Sequence, residues 1–271
     1  MDKKHLVSVI ITTKNSERTL DRCLKSLKDQ TYKNIEIIVV DNNSTDKTKQ
    51  IAKKYTKLVF NKGPERSAQR NFAILKSKGK YVYIIDSDFV LQSKVIEDCV
   101  SKIRKGFDAI VVHNTPDISI SWIAKVRKFE TDMYKYNLDH SAARFFKKKV
   151  FLDIKGYNEK VTAGEDYDIQ NRLNREGYKT GFIDSEAIHL GEPKYFFSHM
   201  KKYYDYGKDF INYKNENKEE SKTQLSFVRS VYIKNWKKFL THPILAIEFI
   251  FYHICKFSFG GVGYLVGRIK G

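Results

Sequence analysis

Cysteine is scarce in this chain of 271 residues, which contains only Cys23, Cys99 and Cys255. Three cysteines without paired spacing provide neither a disulfide framework nor a zinc site, and they fit a protein of the reducing cytosol. Cys23 and Cys99 fall on apolar helical faces, so we expect them to be small core residues. The cysteine content therefore argues against stabilisation by disulfide bonds or by a structural zinc ion.

Glycine is missing from the place where many nucleotide-binding domains need it. Residues 12–16, after the first predicted strand, contain no glycine, whereas a dinucleotide-binding Rossmann domain has a Gly-x-Gly-x-x-Gly turn there. No P-loop pattern occurs either. A nucleotidyltransferase would usually carry a glycine-rich first loop as well. It remains an alternative because it shares the chemistry of a metal and a nucleotide.

Long apolar runs are also rare. Residues 7–11 form a run that is too short for a signal peptide, so we expect a buried first strand. Residues 243–267 approach bilayer-spanning length, but Glu248, Tyr252 and Lys256 form a polar stripe along the predicted helix, and four glycines near its end should weaken it. Three interpretations stay open: attachment at a membrane interface, packing on a soluble domain, or a membrane span.

Basic residues outnumber acidic ones by 50 to 32, a formal net charge of +18. Such an excess favours anionic partners. The basic residues are scattered, and no RNP-like or zinc-finger pattern occurs, so we do not expect a nucleic-acid partner. Lysines interleaved with aromatic residues between positions 201 and 239 would suit anionic lipid headgroups. A non-catalytic protein that binds anionic lipid or nucleic acid remains a second alternative.

Strand-like and helix-like segments alternate through the first half of the chain. Nearly continuous apolar runs indicate strands buried on both faces, and apolar residues spaced three and four apart indicate helices. The predicted strands are 6–12, 35–40, 58–60, 81–85 and 109–112. This alternation predicts an α/β fold with a mainly parallel sheet flanked by helices. Later in the chain, we expect a strand over 181–188 and a polar linker over 214–222.

Asp86 and Asp88 follow the predicted strand 81–85, with one residue between them. Because alternate residues of a strand share a face, both carboxylates are expected to point the same way where the strand ends. A cation between them would relieve their repulsion, and hard oxygen ligands suit Mg²⁺ or Mn²⁺. An ion at this edge of an α/β sheet can hold a diphosphate. The alternative is an ordinary solvated turn.

Four motifs, at residues 7–12, 40–46, 86–88 and 164–166, occur in the order and approximate spacing of one enzyme family. With His189 after the predicted strand 181–188, they resemble a family-2 glycosyltransferase over about residues 5–195. The resemblance implies a GT-A fold (Rossmann-like, with a mixed sheet) and an inverting transfer of sugar from a nucleotide-diphosphate donor. The Gln-x-x-Arg-Trp motif of processive synthases is absent, which favours addition of one sugar.

The resemblance also implies roles for individual residues. Asp88 would ligate the metal, with Asp86 near the ion or the ribose and His189 as a further ligand. Asp166, or its neighbour Glu165, would be the general base, since an inverting displacement needs a carboxylate opposite the leaving group. Acids at a helix start are also favoured by the helix dipole alone. The residues implied at the donor nucleoside are Thr12, Asn15 and Asp41.

Arginines are expected beside the donor and the acceptor. Arg66 and Arg70 are four residues apart on one predicted helix face, where guanidinium groups suit phosphate or a nucleobase edge. In the resembled family a basic residue here touches the donor. Arg144 begins the segment 144–146, which matches a segment that lines the acceptor side in such enzymes, so Arg144 is a candidate for substrate binding. The alternative for the first pair is a solvated helix face.

The residues and the resemblance together imply a metal-dependent, inverting glycosyltransferase of the hexosyltransferase class. The expected donor is a UDP or GDP sugar, the cofactor Mg²⁺ or Mn²⁺, and the acceptor a glycan or lipid-linked hydroxyl. We expect a catalytic domain over residues 1–195 and a basic, aromatic, helical extension over 196–271. The expected location is the cytoplasm, peripheral on the inner face of the cell membrane.

Overall fold

The structure, a computed structural model, describes residues 5–270 and contains ten strands and twelve helices within them. The strands are β1 (Val7–Thr13), β2 (Ile35–Asp41), β3 (Val59–Asn61), β4 (Tyr81–Asp86), β5 (Phe89–Leu91), β6 (Ala109–Val111), β7 (Asn114–Pro116), β8 (Phe145–Lys147), β9 (Thr180–Phe182) and β10 (Ala187–His189). The helices are α1 (Leu20–Lys28), α2 (Thr48–Lys53), α3 (Arg66–Lys76), α4 (Val95–Arg104), α5 (Trp122–Tyr134), α6 (Lys148–Asp153), α7 (Glu165–Arg175), α8 (Phe196–Glu216), α9 (Lys218–Gln224), α10 (Ser230–Lys234), α11 (Trp236–Thr241) and α12 (Pro243–Lys270).

The chain divides into two compact units. The first contains the residues up to Asn114 together with Ala142–Glu159 and Arg172–Gly191. The second contains Thr115–Ser141, Lys160–Asn171 and the residues from Glu192 onward. Compactness thus groups two internal segments with the C-terminal part of the chain. The functional boundary expected at residue 195 stays a prediction.

The first unit is built on a seven-stranded sheet with the order β3-β2-β1-β4-β8-β6-β9. Neighbours from β3 to β4 are parallel, and β8 is antiparallel to both β4 and β6. All seven residues of β1 are buried, as expected of a central strand covered on both faces. Helix α1 buries Leu20, Cys23, Leu24 and Leu27 against this sheet. The predicted mixed, mainly parallel α/β sheet is confirmed.

The carboxyl ends of three neighbouring strands meet at one edge of this sheet. The register pairs Thr13 of β1 with Asp41 of β2, and Thr12 of β1 with Asp86 of β4. Two acidic residues therefore flank the end of the central strand. In open α/β sheets, this edge is where ligands bind.

The single strand predicted over 181–188 is wrong. The structure has two short strands there: β9 pairs with β6 in the large sheet, and β10 pairs with β5 in a separate three-stranded sheet. Between them, the Ser185 hydroxyl donates a hydrogen bond to Asp98 at 2.7 Å. The polar residues between 183 and 187 take the chain from one sheet to the other, which an alternation of apolar residues cannot reveal.

The polar linker predicted over 214–222 is also wrong, because α8 and α9 occupy this region. Asn217, between the two helices, is fully buried. Its side-chain amide donates to Asp168 at 3.0 Å and accepts from Asn171 at 2.9 Å. Buried amides that hydrogen-bond to one another stabilise a specific turn. The segment nevertheless has the polar composition of a linker, which is why the sequence alone misleads.

The glycines expected to weaken the C-terminal helix instead allow it to pack closely against α8. Helix α12 is continuous over 28 residues, and α8 lies against it. A Cβ atom on Gly263 would lie 2.0 Å from the carbonyl oxygen of Tyr204, and one on Gly207 would lie 2.1 Å from that of Gly260. Only glycine permits such close backbone approach. The packing therefore offsets the low helix propensity of these residues.

We predict that Gly263→Ala destabilises the protein by about 1–3 kcal/mol, because the new methyl group overpacks the α8–α12 contact. The matched control is Gly261→Ala in the same helix, where an added Cβ meets nothing within 4 Å. That change should be neutral or stabilising by about 0.5–1 kcal/mol. Thermal denaturation of the two variants measures the difference. Equal melting temperatures would contradict the packing argument.

Candidate active site

Asp41, at the end of β2, is fully buried and has several donors around it. Its carboxylate accepts hydrogen bonds from the Thr13 hydroxyl at 2.8 Å and from the backbone N–H of Ser44 at 2.8 Å. The Ser44 hydroxyl donates to it at 2.5 Å, and Lys49 Nζ lies 3.6 Å away. The carboxylate therefore holds the turn that follows β2. Its predicted contact with a donor nucleoside stays a prediction.

Asn15 links the loop after β1 to the loop after β2. Its backbone adopts φ 50°, a left-handed conformation that asparagine tolerates better than most residues. Its side-chain oxygen accepts from the Thr45 N–H at 2.9 Å, and its own N–H donates to the Ser44 hydroxyl at 2.8 Å. The two loops at the sheet edge are thus held together, which positions Asn15 and Asp41 in one place.

Asp86, at the end of β4, lies between two arginines. Arg70 Nη2 is 2.9 Å from one carboxylate oxygen, and Arg144 Nη1 is 3.4 Å from the other. The Arg70 side chain is fully buried, with its guanidinium 4.9 Å from the centre of the Tyr157 ring. Burial alone would raise the pKa of Asp86, but the two guanidinium groups hold it well below its usual value. Asp86 is therefore ionised and neutralised by the protein itself.

The other predicted donor residues lie nearby. Thr12, buried at the end of β1, has its hydroxyl 3.5 Å from Asp86. Arg66, in the first turn of α3, adds to the positive potential on Asp86. Its side chain is 41% exposed and lies 3.7 Å from Glu65, whereas the Arg70 side chain is fully buried and pairs with Asp86. The structure thus gives the two arginines of one helix face different roles.

Asp88 and His189 are brought together by the small sheet. The pairing of β5 with β10 places His189 opposite Phe89, the neighbour of Asp88, and His189 Nε2 lies 3.2 Å from Asp88 Oδ2. A Cβ on Gly191 would lie 2.1 Å from the same oxygen, so only glycine fits there. The other oxygen, Oδ1, is buried and has no hydrogen-bond partner in the structure.

These two side chains fit one part of a divalent metal site. A buried carboxylate oxygen without a partner is costly, and a cation would satisfy it. Within residues 5–270, no group of three or more His, Cys, Asp or Glu side chains could hold a metal ion, and Asp86 pairs with the arginines instead. Mg²⁺ is commonly bound by one or two carboxylates together with substrate phosphates and water. Asp88 and His189 therefore suit an ion that arrives with a phosphorylated substrate.

The predicted bases, Glu165 and Asp166, begin helix α7 in the second unit. Gly164, just before them, has φ +85°, and a Cβ there would lie 2.9 Å from the Tyr213 ring. Glu165 is buried and Asp166 is half-buried. The glycine turn thus fixes where the helix and its first acids begin.

Two residues that position the site were missed by the sequence analysis. The buried Gln69 amide donates to the Val40 carbonyl at 2.7 Å and to the Thr13 carbonyl at 3.3 Å, which joins the ends of β1 and β2. Gly191 leaves room for the Asp88 carboxylate. Neither belongs to a motif, and only the spatial arrangement reveals their roles.

Comparison with known proteins decides the family. The model of Glycosyl transferase family 2 matches residues 8–157, a little over half of the chain. The chain belongs to glycosyl transferase family 2. The matched region contains Asp41, Asp86 and Asp88 and the strands that position them. The GT-A fold and the expected class of enzyme, a glycosyltransferase, are therefore confirmed.

Individual relatives agree with this assignment. The chain is 29% identical over 210 residues to an uncharacterized glycosyltransferase of Methanocaldococcus jannaschii, covering 68% of this chain and 69% of that one. It is 25% identical over 177 residues to the GalNAc(5)-diNAcBac-PP-undecaprenol beta-1,3-glucosyltransferase of Campylobacter jejuni, covering 59% and 57%. The chain spans less than two thirds of the length of several of the curated relatives that it matches.

A solved structure shares the fold along the whole chain. The mannosyltransferase PcManGT from Pyrobaculum calidifontis, in complex with GDP-Man and Mn²⁺, has a TM-score of 0.62 and 15% sequence identity. The likeness covers 100% of this chain and 77% of PcManGT. At this identity it shows a common fold and does not assign a substrate.

We predict that Asp86→Asn costs about 3 kcal/mol of stability at pH 7, because it leaves two largely buried guanidinium groups without their anion. Because the folded pKa of Asp86 is depressed, its contribution is present above its unfolded pKa of about 3.9 and is lost as the pH falls further. The difference between wild type and variant should therefore shrink below about pH 4.

The measurement is chemical denaturation of both proteins between pH 3 and pH 8. Asp29→Asn, at an exposed position after α1, removes the same charge and serves as the control, with little expected effect. A loss for Asp86→Asn that is small, or that does not change with pH, would contradict the ion-pair argument.

Proposed function

We propose that this family-2 glycosyltransferase transfers one sugar from a nucleotide-diphosphate donor to an acceptor hydroxyl, with inversion at the anomeric carbon. The proposal rests on one observation: the first unit gathers Asp41, Asp86 and Asp88, with their arginine and histidine partners, at the carboxyl edge of its parallel sheet. A uridine or guanosine diphosphate sugar carries both the nucleoside and the diphosphate that such an edge can bind.

The nucleoside is proposed to lie against the loops after β1 and β2. Thr12, Asn15 and Asp41 are held there by the register of the strands and the hydrogen bonds between the loops. Asp86 is kept ionised by Arg70 and Arg144, so it can accept hydrogen bonds from ribose hydroxyls. Arg66, being partly exposed on the first turn of α3, is proposed to contact a donor phosphate.

Asp88 and His189 are proposed to hold the divalent ion, Mg²⁺ or Mn²⁺. When bound, such an ion neutralises charge that develops on the departing diphosphate. Asp88 has a buried oxygen without a partner, which supports its role as the principal protein ligand. His189 Nε2 lies 3.2 Å from Asp88 Oδ2, close enough for both atoms to ligate one ion, and Gly191 leaves the space in which the two groups meet.

Asp166 is proposed to be the general base, with Glu165 beside it. In an inverting displacement, the base accepts the proton of the acceptor hydroxyl while the oxygen attacks the anomeric carbon from the face opposite the diphosphate. Asp166 is half-buried and so more accessible than Glu165, which favours it for this role. The turn at Gly164 fixes its position at the start of α7.

We predict that Asp88→Asn abolishes metal-dependent release of nucleoside diphosphate from the donor, since the neutral amide is a poor ligand for a hard cation. Asp166→Asn should retain donor and metal binding but lower kcat for transfer by about 10²-fold or more, as expected for loss of general-base catalysis. Coupled release assays and donor binding by calorimetry, with Mn²⁺ and a panel of sugar nucleotides, measure these effects.

Asp184→Asn, at an acid of the first unit outside the proposed site, is the control and should leave turnover unchanged. Release of pyrophosphate from a nucleoside triphosphate would point instead to the nucleotidyltransferase alternative. Failure to bind any sugar nucleotide in the presence of metal would favour the non-catalytic alternative.

We also propose that the protein works at the cytoplasmic membrane surface, through helix α12. Pro243–Ile269 is long and apolar enough to cross a membrane by length and composition, a criterion that a soluble core helix can also meet. One side of the helix packs on α8 through glycine contacts, and Tyr252 is fully buried. The opposite side exposes apolar residues, including Ile247 (69%) and Ile254 (50%). A helix packed on one side and apolar on the other suits an interfacial position.

We predict that the double variant Ile247→Glu/Ile254→Glu floats with anionic liposomes at least about tenfold less than wild type, since it loses the insertion of two large apolar side chains. Leu75→Glu is the matched control because Leu75 is 71% exposed on α3 of the first unit and should not affect binding. Wild type that stays unbound, or a double variant that binds as well as wild type, would dismiss α12 as the anchor.

A further inference from the structure

The second unit contains a cavity to which the proposed function assigns no role. It has a volume of about 590 Å³ and is lined by residues of α5, α8 and α12. Tyr167, next to the proposed base Asp166, also lines it. A cavity of this size accommodates a substrate headgroup rather than a few water molecules.

Two largely buried cations share one carboxylate in the wall of this cavity. Lys256 Nζ lies 2.7 Å from Glu130 Oε1, and Arg229 Nη1 lies 4.0 Å from the same oxygen. The exposed fractions of these side chains are 12% for Lys256, 8% for Arg229 and 7% for Glu130. The cluster therefore carries one net positive charge in a largely buried place.

Neutral hydroxyl groups complete this cluster and cannot balance its charge. The Tyr134 hydroxyl donates to Glu130 at 2.5 Å and accepts from Arg229 at 2.6 Å, and the Tyr232 hydroxyl donates to Glu130 at 3.1 Å. Burial lowers the pKa of His140, which also lines the cavity, to about 3, so that imidazole adds no charge at neutral pH.

A further cation stands at the cavity wall. Lys214 of α8 is exposed, and its amino group lies 3.3 Å from the Tyr264 hydroxyl. The cavity therefore has more positive than negative charge on both its buried and its exposed side. An uncompensated buried charge is unfavourable, and a bound anion would remove this cost.

We propose that this cavity binds the phosphate group of the acceptor. The inference rests on the proposed glycosyl transfer, for which it names the class of acceptor: a phosphorylated molecule whose hydroxyl is glycosylated. Lys256, Arg229 and Lys214 bind the phosphate oxygens. Aromatic side chains, among them Phe210 and Phe257, contact the apolar or sugar part of the same molecule.

A lipid phosphate and a soluble phosphorylated glycan share this chemistry. The lipid is the source that the structure favours, because α12 supplies both Lys256 in the cavity and the exposed apolar side proposed to lie on the membrane. An acceptor anchored in lipid could then place its phosphate in the cavity without leaving the membrane surface.

The test measures binding of inorganic phosphate, decyl phosphate and glucose 1-phosphate to the full chain by calorimetry. Asp88→Asn serves as the background, and EDTA is present, so that the proposed donor site cannot contribute. We expect decyl phosphate to bind most tightly, and Lys214→Gln to weaken its binding about fivefold through loss of one charge-assisted contact. Lys222→Gln, at an exposed lysine of α9, is the control and should bind as the background does.

Glu130→Gln is an independent variant that should change phosphate binding in the opposite direction. It removes the only carboxylate among the residues that line the cavity, so phosphate should bind more tightly, an effect that general damage to the fold would not produce. If this buried variant does not fold, Lys214→Glu, at an exposed position, should reduce binding more than Lys214→Gln does.

The outcomes separate the possibilities. Tighter binding of glucose 1-phosphate than of decyl phosphate would support the phosphate site and assign it to a soluble glycan. No binding of any probe, or binding that is unaffected by changes at Lys214, would overturn the proposal. Because the assay needs neither donor nor turnover, its failure leaves the proposed glycosyl transfer intact. Conversely, phosphate binding by a chain without glycosyl transfer would refute only the proposed function.

Discussion

Compensation of charge at the edge of the parallel sheet is the constraint on which the candidate site depends. The strand register brings Asp41 and Asp86 to the same edge as Asp88, and each is stabilised in a different way. Hydrogen bonds hold Asp41, and two arginines neutralise Asp86. Asp88 has one contact to His189 and one buried oxygen without a partner. Because the first two carboxylates are satisfied internally, the third is where an added cation stabilises the protein most.

The sheet could be predicted well from the sequence because the apolar runs that indicate its strands are local patterns. A central strand such as β1 is mostly apolar and fully buried, and its neighbours β2 and β4 are mostly apolar as well. The acidic residues at the strand ends could also be located, since strands and turns have distinct compositions. The partners of those acids could not. Arg70 reaches Asp86 from a helix, and Arg144 reaches it from a segment 58 residues away. Only the fold decides that Asp86 pairs with guanidinium groups.

Errors in the second unit share one physical cause, which is that packing outweighs local propensity. The glycines near the end of α12 predict a weak helix, but they permit a backbone contact with α8 that no larger residue allows. Likewise, the polar residues around Asn217 predict a linker, yet their amides satisfy one another in a buried turn. In both cases the stabilising contact joins residues that are distant in sequence. No short segment of the sequence contains both partners, so the contact cannot be predicted from such a segment.

The two units have opposite electrostatic requirements, and these match the proposed donor and the proposed acceptor. The first unit gathers three acids, of which hydrogen bonds hold Asp41 and two arginines neutralise Asp86, which leaves Asp88 as a place for a cation. The second unit buries two cations around Glu130, which leaves a place for an anion. A sugar nucleotide with its metal meets the first requirement, and a phosphorylated acceptor meets the second. If the charges of each unit are matched to its own substrate in this way, reversing the charge at Lys214 should weaken acceptor binding without altering donor binding. A merely structural role for the buried cluster predicts no such separation.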